Sequence, residues 1–203
     1  MAFTDFKSIA QVQETYGVTY AEASFCDRVS LPVPEAFCQE LAFNAQYIDV
    51  FSSEASRCEA VIYPVLREVY KAFADRATLW SHRSLTYDSQ LSGIPDYLVA
   101  TRSPLGKTVL GQPIVLIVEA KQNNFAEGWG QCLAELIAAQ RLGAPQQVYG
   151  VVTDGEFWQF GQLEGDAFTK DTLRLTLSDL DLLFSTLGFL IDRGLPAHPA
   201  PPW

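Results

Sequence analysis

The stretch QPIVLIVEAK, residues 112–121, decides how the rest of this chain reads. Ile114 to Val118 form an unbroken apolar run rich in β-branched side chains, the pattern of a strand covered on both faces. The run ends on Glu119, Ala120 and Lys121. Side chains alternate along a strand, so Glu119 and Lys121 share one face and Ala120 takes the other. A carboxylate and an ammonium closing a hydrophobic strand either form a local ion pair or serve a function, because burying either alone is costly.

Working outward, FAEGWGQCLAELIAAQRLG (125–143) reads as a helix that stops at Gly143 before Pro145. QQVYGVVTD (146–154) is a further strand, the DGE turn follows, and FWQFGQLE (157–164) returns as its neighbour. LSDLDLLFSTLGFLIDRG (177–194) is a last helix with Ser178 as its cap. Upstream, ATLWSHRSLTYDSQ (77–90) and SGIPDYLVATR (92–102) read as two strands. Before them, SSEASRCEAVIYPVLREVYKAF (52–73) carries apolar positions at three- and four-residue spacing, with Ser52 or Ser53 as cap. Pro64 predicts a kink in that helix. The order is helix, three strands, helix, two strands, helix, which implies a mixed sheet with helices on its faces. Residues 1–50, broken by Pro32 and Pro34, are expected to be an N-terminal accessory segment. Residues 51–195 form the main domain, and 196–203 a Pro-rich tail.

Composition narrows the function classes. The chain has 203 residues, 48% of them hydrophobic, enough for one domain with a real core. No apolar run approaches the ~18–20 residues that span a bilayer, so no membrane association is expected. The first residues lack the charged and apolar regions of a secretory signal. Cys26, Cys38, Cys58 and Cys132 have no CxxC spacing, and the only histidines are His82 and His198. That excludes a Cys/His zinc site and fits reduced thiols in a cytoplasm. A net charge of −10 opposes tight, autonomous binding to nucleic acid, which calls for basic surface.

Other residues can join Glu119 and Lys121. Asp96 follows Pro95 at the start of a strand, and a neighbouring strand brings it beside Glu119. Two close carboxylates repel unless a cation intervenes, and hard oxygen ligands suit Mg²⁺ or Mn²⁺. A strand-entry turn is the plainer reading of Asp96. Glu54 shares a helical face with Cys58, Val61 and Val65, which aims an acid inward; a solvated charge at a helix N-terminus is the alternative. Glu59 competes with it from the next turn. Gln131 begins the helix after the central strand and reads alone as an ordinary polar residue. His82 and Arg83 fit an exposed strand face better than a phosphate contact. Trp129 fits packing on the sheet better than base stacking. Phe157, Trp158 and Phe160 fill hairpin faces or an oligomer contact. No GxxxxGK[ST], Gly-x-Ser-x-Gly or HExxH occurs.

The ordered set, carried by SEASRCEAVIYPVLREVY, GIPDYLV, IVLIVEAKQ and GQCLAELIAAQ, resembles the PD-(D/E)XK nuclease superfamily. It is most similar to the N-terminal nuclease domain of type I restriction subunits and small stand-alone relatives. VYGVVTDGEFWQFGQL resembles the strand-turn-strand that follows the core there. The resemblance implies an α/β fold with a restriction-endonuclease-like αβββαβ core, a mixed central sheet flanked by helices, an N-terminal accessory segment and a C-terminal helix. It implies a metal-dependent endonuclease that hydrolyses DNA phosphodiesters, with Mg²⁺ or Mn²⁺ held by Asp96, Glu119 and the Ala120 carbonyl. Lys121 would polarise the attacking water, Gln131 would support it, and Glu54 would complete the acidic set. The other reading is a non-catalytic interaction module on the same fold. A homodimer pairing two clefts is a further expectation.

Overall fold

The computed structural model describes residues 2–143 and 147–196. The architecture is mixed α/β: a seven-stranded mixed sheet with helices packed on its faces. The strands are β1 (Thr19–Ala23), β2 (Ala77–Ser81), β3 (Leu85–Thr86), β4 (Ser92–Gly93), β5 (Tyr97–Thr101), β6 (Ile114–Ala120), β7 (Gln147–Thr153), β8 (Phe157–Glu164) and β9 (Ala167–Thr176). The large sheet runs β1-β9-β8-β7-β6-β5-β2, and β3 pairs with β4 in a separate hairpin. The helices are α1 (Ile9–Tyr16), α2 (Glu35–Tyr47), α3 (Glu54–Arg57), α4 (Tyr63–Tyr70), α5 (Phe125–Gly143) and α6 (Leu180–Gly194).

All seven residues of β6 are buried, as its apolar run predicts. Val118 and Ala120 face a core with α4 and α6, while Ile117 faces a second core with α5. Truncating Ile117 to Ala costs about 2–5 kcal/mol. Parallel pairing of β6 with β7 requires a crossover, and α5 is that crossover.

The helix at 52–73 is capped by Ser53, whose hydroxyl accepts the Ser56 N–H at 3.1 Å. The irregularity expected from Pro64 takes the form of a π turn, Cys58–Ile62, between α3 and α4. There the Tyr63 N–H bonds the Cys58 carbonyl, five residues back. Pro64 has no N–H for the Ala60 carbonyl, and the Asn44 side chain donates to it instead at 2.8 Å.

Three sequence readings need correction. The strand expected over 77–90 ends at Ser81, because His82 adopts φ 49 and turns the chain toward the β3–β4 hairpin. The last helix is not capped by Ser178. Thr176 and Asp179 bracket a short 3-10 turn before α6, and the Asp179 carboxylate accepts from Thr176 Oγ1 at 2.8 Å and from its N–H at 3.0 Å. The return strand β8 has a further partner, β9, that the reading lacked. Residues 2–50 contribute to the core: Phe3, Phe6 and Val12 are buried against α5, and β1 joins the sheet edge parallel to β9. Gly130 lets this segment pass, since a Cβ there would stand 2.5 Å from the Ser8 nitrogen. Of the Pro-rich tail only Pro196 is among the described residues.

Candidate functional site

Strand pairing brings Asp96 and Glu119 together. β5 and β6 are antiparallel with Tyr97 opposite Val118, and one further step sets Asp96 across from Glu119. Asp96 Oδ2 accepts the Ala120 N–H at 2.8 Å. Its Oδ1 lies 3.6 Å from His82 Nε2, and the Asp96 carbonyl accepts the His82 N–H at 2.8 Å. The strained turn at His82 is thus pinned to the Pro95-Asp96 entry.

Glu119 is 0% exposed. Lys121 Nζ stands 3.2 Å from Glu119 Oε2, so the pair lies on one face, as alternation requires. The ammonium is close but poorly aligned for hydrogen bonding, so the donor best placed for Glu119 is the carboxyl of Glu135. Burial first, then the Asp96 charge, pushes the Glu119 carboxyl up to about 7 against the pull of Lys121. Burial draws the Lys121 ammonium down, but Glu119, Asp96 and Glu54 outweigh it and hold it above its ordinary value.

A residue absent from the sequence reading completes the cluster. Glu135 on α5 is fully buried, lies against Glu119, and is held well above the carboxylate range by burial and by the Glu119 charge. Two carboxyls in contact in a dry interior cannot both ionise cheaply. Gln131, one turn earlier, donates Nε2 to Glu135 Oε1 at 3.3 Å, and the Glu135 carboxyl in turn hydrogen-bonds Glu119. Gln131 therefore reaches the cluster through Glu135. The available signal was a single carboxylate inside the otherwise apolar run CLAELIAA.

Beside Asp96 opens a cavity of about 630 Å³. Glu54 and Glu59 both line it and both are exposed. Glu54 thus does not turn inward with Cys58, Val61 and Val65. It sits at the cavity mouth because it is the first residue of α3, before the helix packs. Tyr63 and Tyr97 form one wall, their rings 5.9 Å apart, with Cys58 beneath. Buried Arg57 locks this helix end to the β7–β8 turn by donating to the Asp154 carbonyl at 2.8 Å and the Phe51 carbonyl at 3.2 Å. Gly128 sets the position of Lys121, since a Cβ there would lie 2.9 Å from Lys121 Cγ and 2.7 Å from Val152 Cγ1.

The remaining candidates fall elsewhere. Trp129 is buried and packs on Phe168, and Arg83 lies over the Trp80 ring. Trp158 and Phe160 fill the core, while Phe157 is exposed. Among the described residues, no three His, Cys, Asp or Glu side chains are grouped to hold a metal ion. No helix among them is long and apolar enough to cross a membrane. Compared with known proteins, the chain matches no family model and no curated sequence.

Proposed function

We propose that this chain is a Mg²⁺- or Mn²⁺-dependent phosphodiester hydrolase acting on DNA, on a restriction-endonuclease-like αβββαβ core. One observation carries the reading: Glu119 is a fully buried carboxylate whose oxygens meet no donor but the Glu135 carboxyl and the Lys121 ammonium, one register step from Asp96. Such a group is costly unless a cation or a proton satisfies it. The donors are hard oxygens, which fits Mg²⁺ or Mn²⁺. Asp96 and Glu119 are the carboxylate ligands in this reading, with the Ala120 carbonyl beside them. When bound, the ion would lower the pKa of its water and screen the phosphate charge.

The chain's own residues divide the remaining work. Asp96 is oriented by the Ala120 N–H. Lys121, with its stem held against α5 at Gly128, offers a positive charge to a developing phosphorane. Gln131 fixes Glu135, and Glu135 backs Glu119. Glu54 and Glu59 stand at the cavity mouth, where either can hold water. The order of helix α3–α4, strands β2, β5 and β6, helix α5 and strand β7 is compatible with that core.

The net charge of −10 and the complete enclosure of Glu119 favour a second reading, a non-catalytic module on the same fold. Plasmid nicking with Mn²⁺ separates the two. A hydrolase nicks, and Glu119→Gln or Lys121→Ala abolishes nicking while the circular dichroism spectrum is unchanged. Nicking that survives both substitutions removes this site from the reaction. Light scattering tests the expected homodimer, which a strict monomer removes.

A further inference from the structure

On the far side of the first turns of α5 from Lys121, a second cavity of about 360 Å³ is lined by Ser8, Phe125, Trp129, Gln159 and Lys170, among others. Lys170 on β9 is half-buried, its ammonium 5.4 Å over the ring of Trp129. No carboxylate among the described residues forms an ion pair with it. Its neighbour across the β1–β9 pairing is Glu22, whose carboxylate accepts from the Tyr20 hydroxyl at 2.5 Å. Burial, and then Arg174, draws the Lys170 ammonium below its ordinary value. Both effects mean that its charge is under-compensated.

The neighbouring donors face the same space. Trp129 Nε1 donates to Gln159 Oε1 at 2.9 Å, which commits the Gln159 carbonyl to the indole and leaves its amide NH₂ as the end that can donate outward. The groove walls include the first residues of α1 and α5, where Ser8 Oγ accepts the Gln11 N–H and Asn124 Oδ1 the Glu127 N–H, while the N–H groups of the first residue of each helix have no acceptor within it. In a chain of net charge −10, Lys170 gives this groove a positive charge that the Trp129 ring and Glu22 answer only in part. A half-buried ammonium with no ion pair and only a partial counter-charge from Glu22 carries a cost that an arriving anion removes, through charge-assisted hydrogen bonds.

We infer that this groove is a phosphate-binding subsite that takes a phosphodiester of a nucleic-acid strand running past α5 to Lys121. The phosphate chemistry follows from the groove itself; the nucleic-acid source rests on the proposed function. Gly128 joins the two places. It lies within one turn of Phe125 in the groove and against the Lys121 stem, so the first turn of α5 carries both places.

The test is fluorescence anisotropy of a short labelled single-stranded oligonucleotide in EDTA, where no cleavage enters the reading. Lys170→Glu is expected to weaken binding at least about tenfold and to reduce the slope of log affinity on log salt by about one. Lys170→Gln gives a smaller loss in the same direction. Circular dichroism checks that the variants fold. Unchanged affinity in both Lys170 variants, or no binding by the parent, overturns the inference. Pyrophosphate that competes as well as the oligonucleotide, phosphate for phosphate, overturns the strand as its source. Lys170-dependent binding without nicking would defeat the hydrolase reading and leave the groove standing. Nicking with Lys170-independent binding would do the reverse.

Discussion

Replacing Glu119 by Gln should make the metal-free protein more stable at alkaline pH, although it is expected to destroy activity. Glu119 sits between two opposing effects. Lys121 and the hydrogen-bonding Glu135 carboxyl favour its charged form, while burial and Asp96 oppose it. The net result is a rise from 4.5 to about 7, so the opposing terms win. At about 1.4 kcal/mol per unit, that rise amounts to roughly 3 kcal/mol of stability that the ionised carboxylate lacks. The sign follows from proton counting. Between pH 4.5 and about 7 the folded chain holds a proton that the unfolded chain has lost, so the contribution is full below 4.5 and gone above about 7. A glutamine keeps the shape without the charge, and its advantage should grow over that window. In urea unfolding with EDTA, Glu119→Gln should match the parent near pH 4.5 and exceed it by roughly 1–3 kcal/mol near pH 8.5. The lower bound allows for the weakened hold on Lys121. Added Mn²⁺ should stabilise the parent, by about 2.7 kcal/mol at a hundred times its Kd, and leave the variant unmoved. A variant no more stable than the parent at pH 8.5, or a difference equal at both pH values, refutes the reasoning about Glu119.

Asp96→Ala removes the acceptor of the Ala120 N–H and should cost about 1–3 kcal/mol in chemical denaturation, as well as abolishing the Mn²⁺ thermal shift. Gly128→Ala forces a Cβ against Lys121 Cγ and Val152 Cγ1; a loss of about 1–3 kcal/mol in urea, with nicking reduced further than stability alone explains, is the expected result. Asn44→Leu leaves the Ala60 carbonyl beside Pro64 without its donor and should cost about 1–3 kcal/mol, read as a lower thermal midpoint.

Much of this arrangement was legible where pattern and covalent chemistry act locally. The apolar run 114–118 fixed a doubly covered strand, and alternation placed Glu119 with Lys121. Pro64 forecast an irregular helix, though not that Asn44 would take over the missing hydrogen bond. What escaped depends on distant partners. Lys170, Asp171 and Arg174 obscure the alternation of β9, and Asp171 is compensated from a distant segment: its Oδ2 accepts the Phe25 and Cys26 N–H groups at 2.8 and 2.6 Å. All of β1 is exposed, so it has no apolar face to read. Glu135 was hidden because a helix buried all round has no polar face against which a misplaced carboxylate stands out. Glu54, open between an inward and a solvated placement, is exposed beside the Asp96 cavity, because helical phase says nothing about a first turn that precedes packing.

The central claim is that Asp96 and Glu119 jointly hold a divalent cation. Diffraction from crystals soaked in Mn²⁺, at a wavelength where manganese scatters anomalously, tests it most directly. The account requires a peak within coordination distance of both carboxyl groups, absent from crystals of Glu119→Gln. A clean map with no peak between those residues, or one that persists unchanged in the variant, contradicts it.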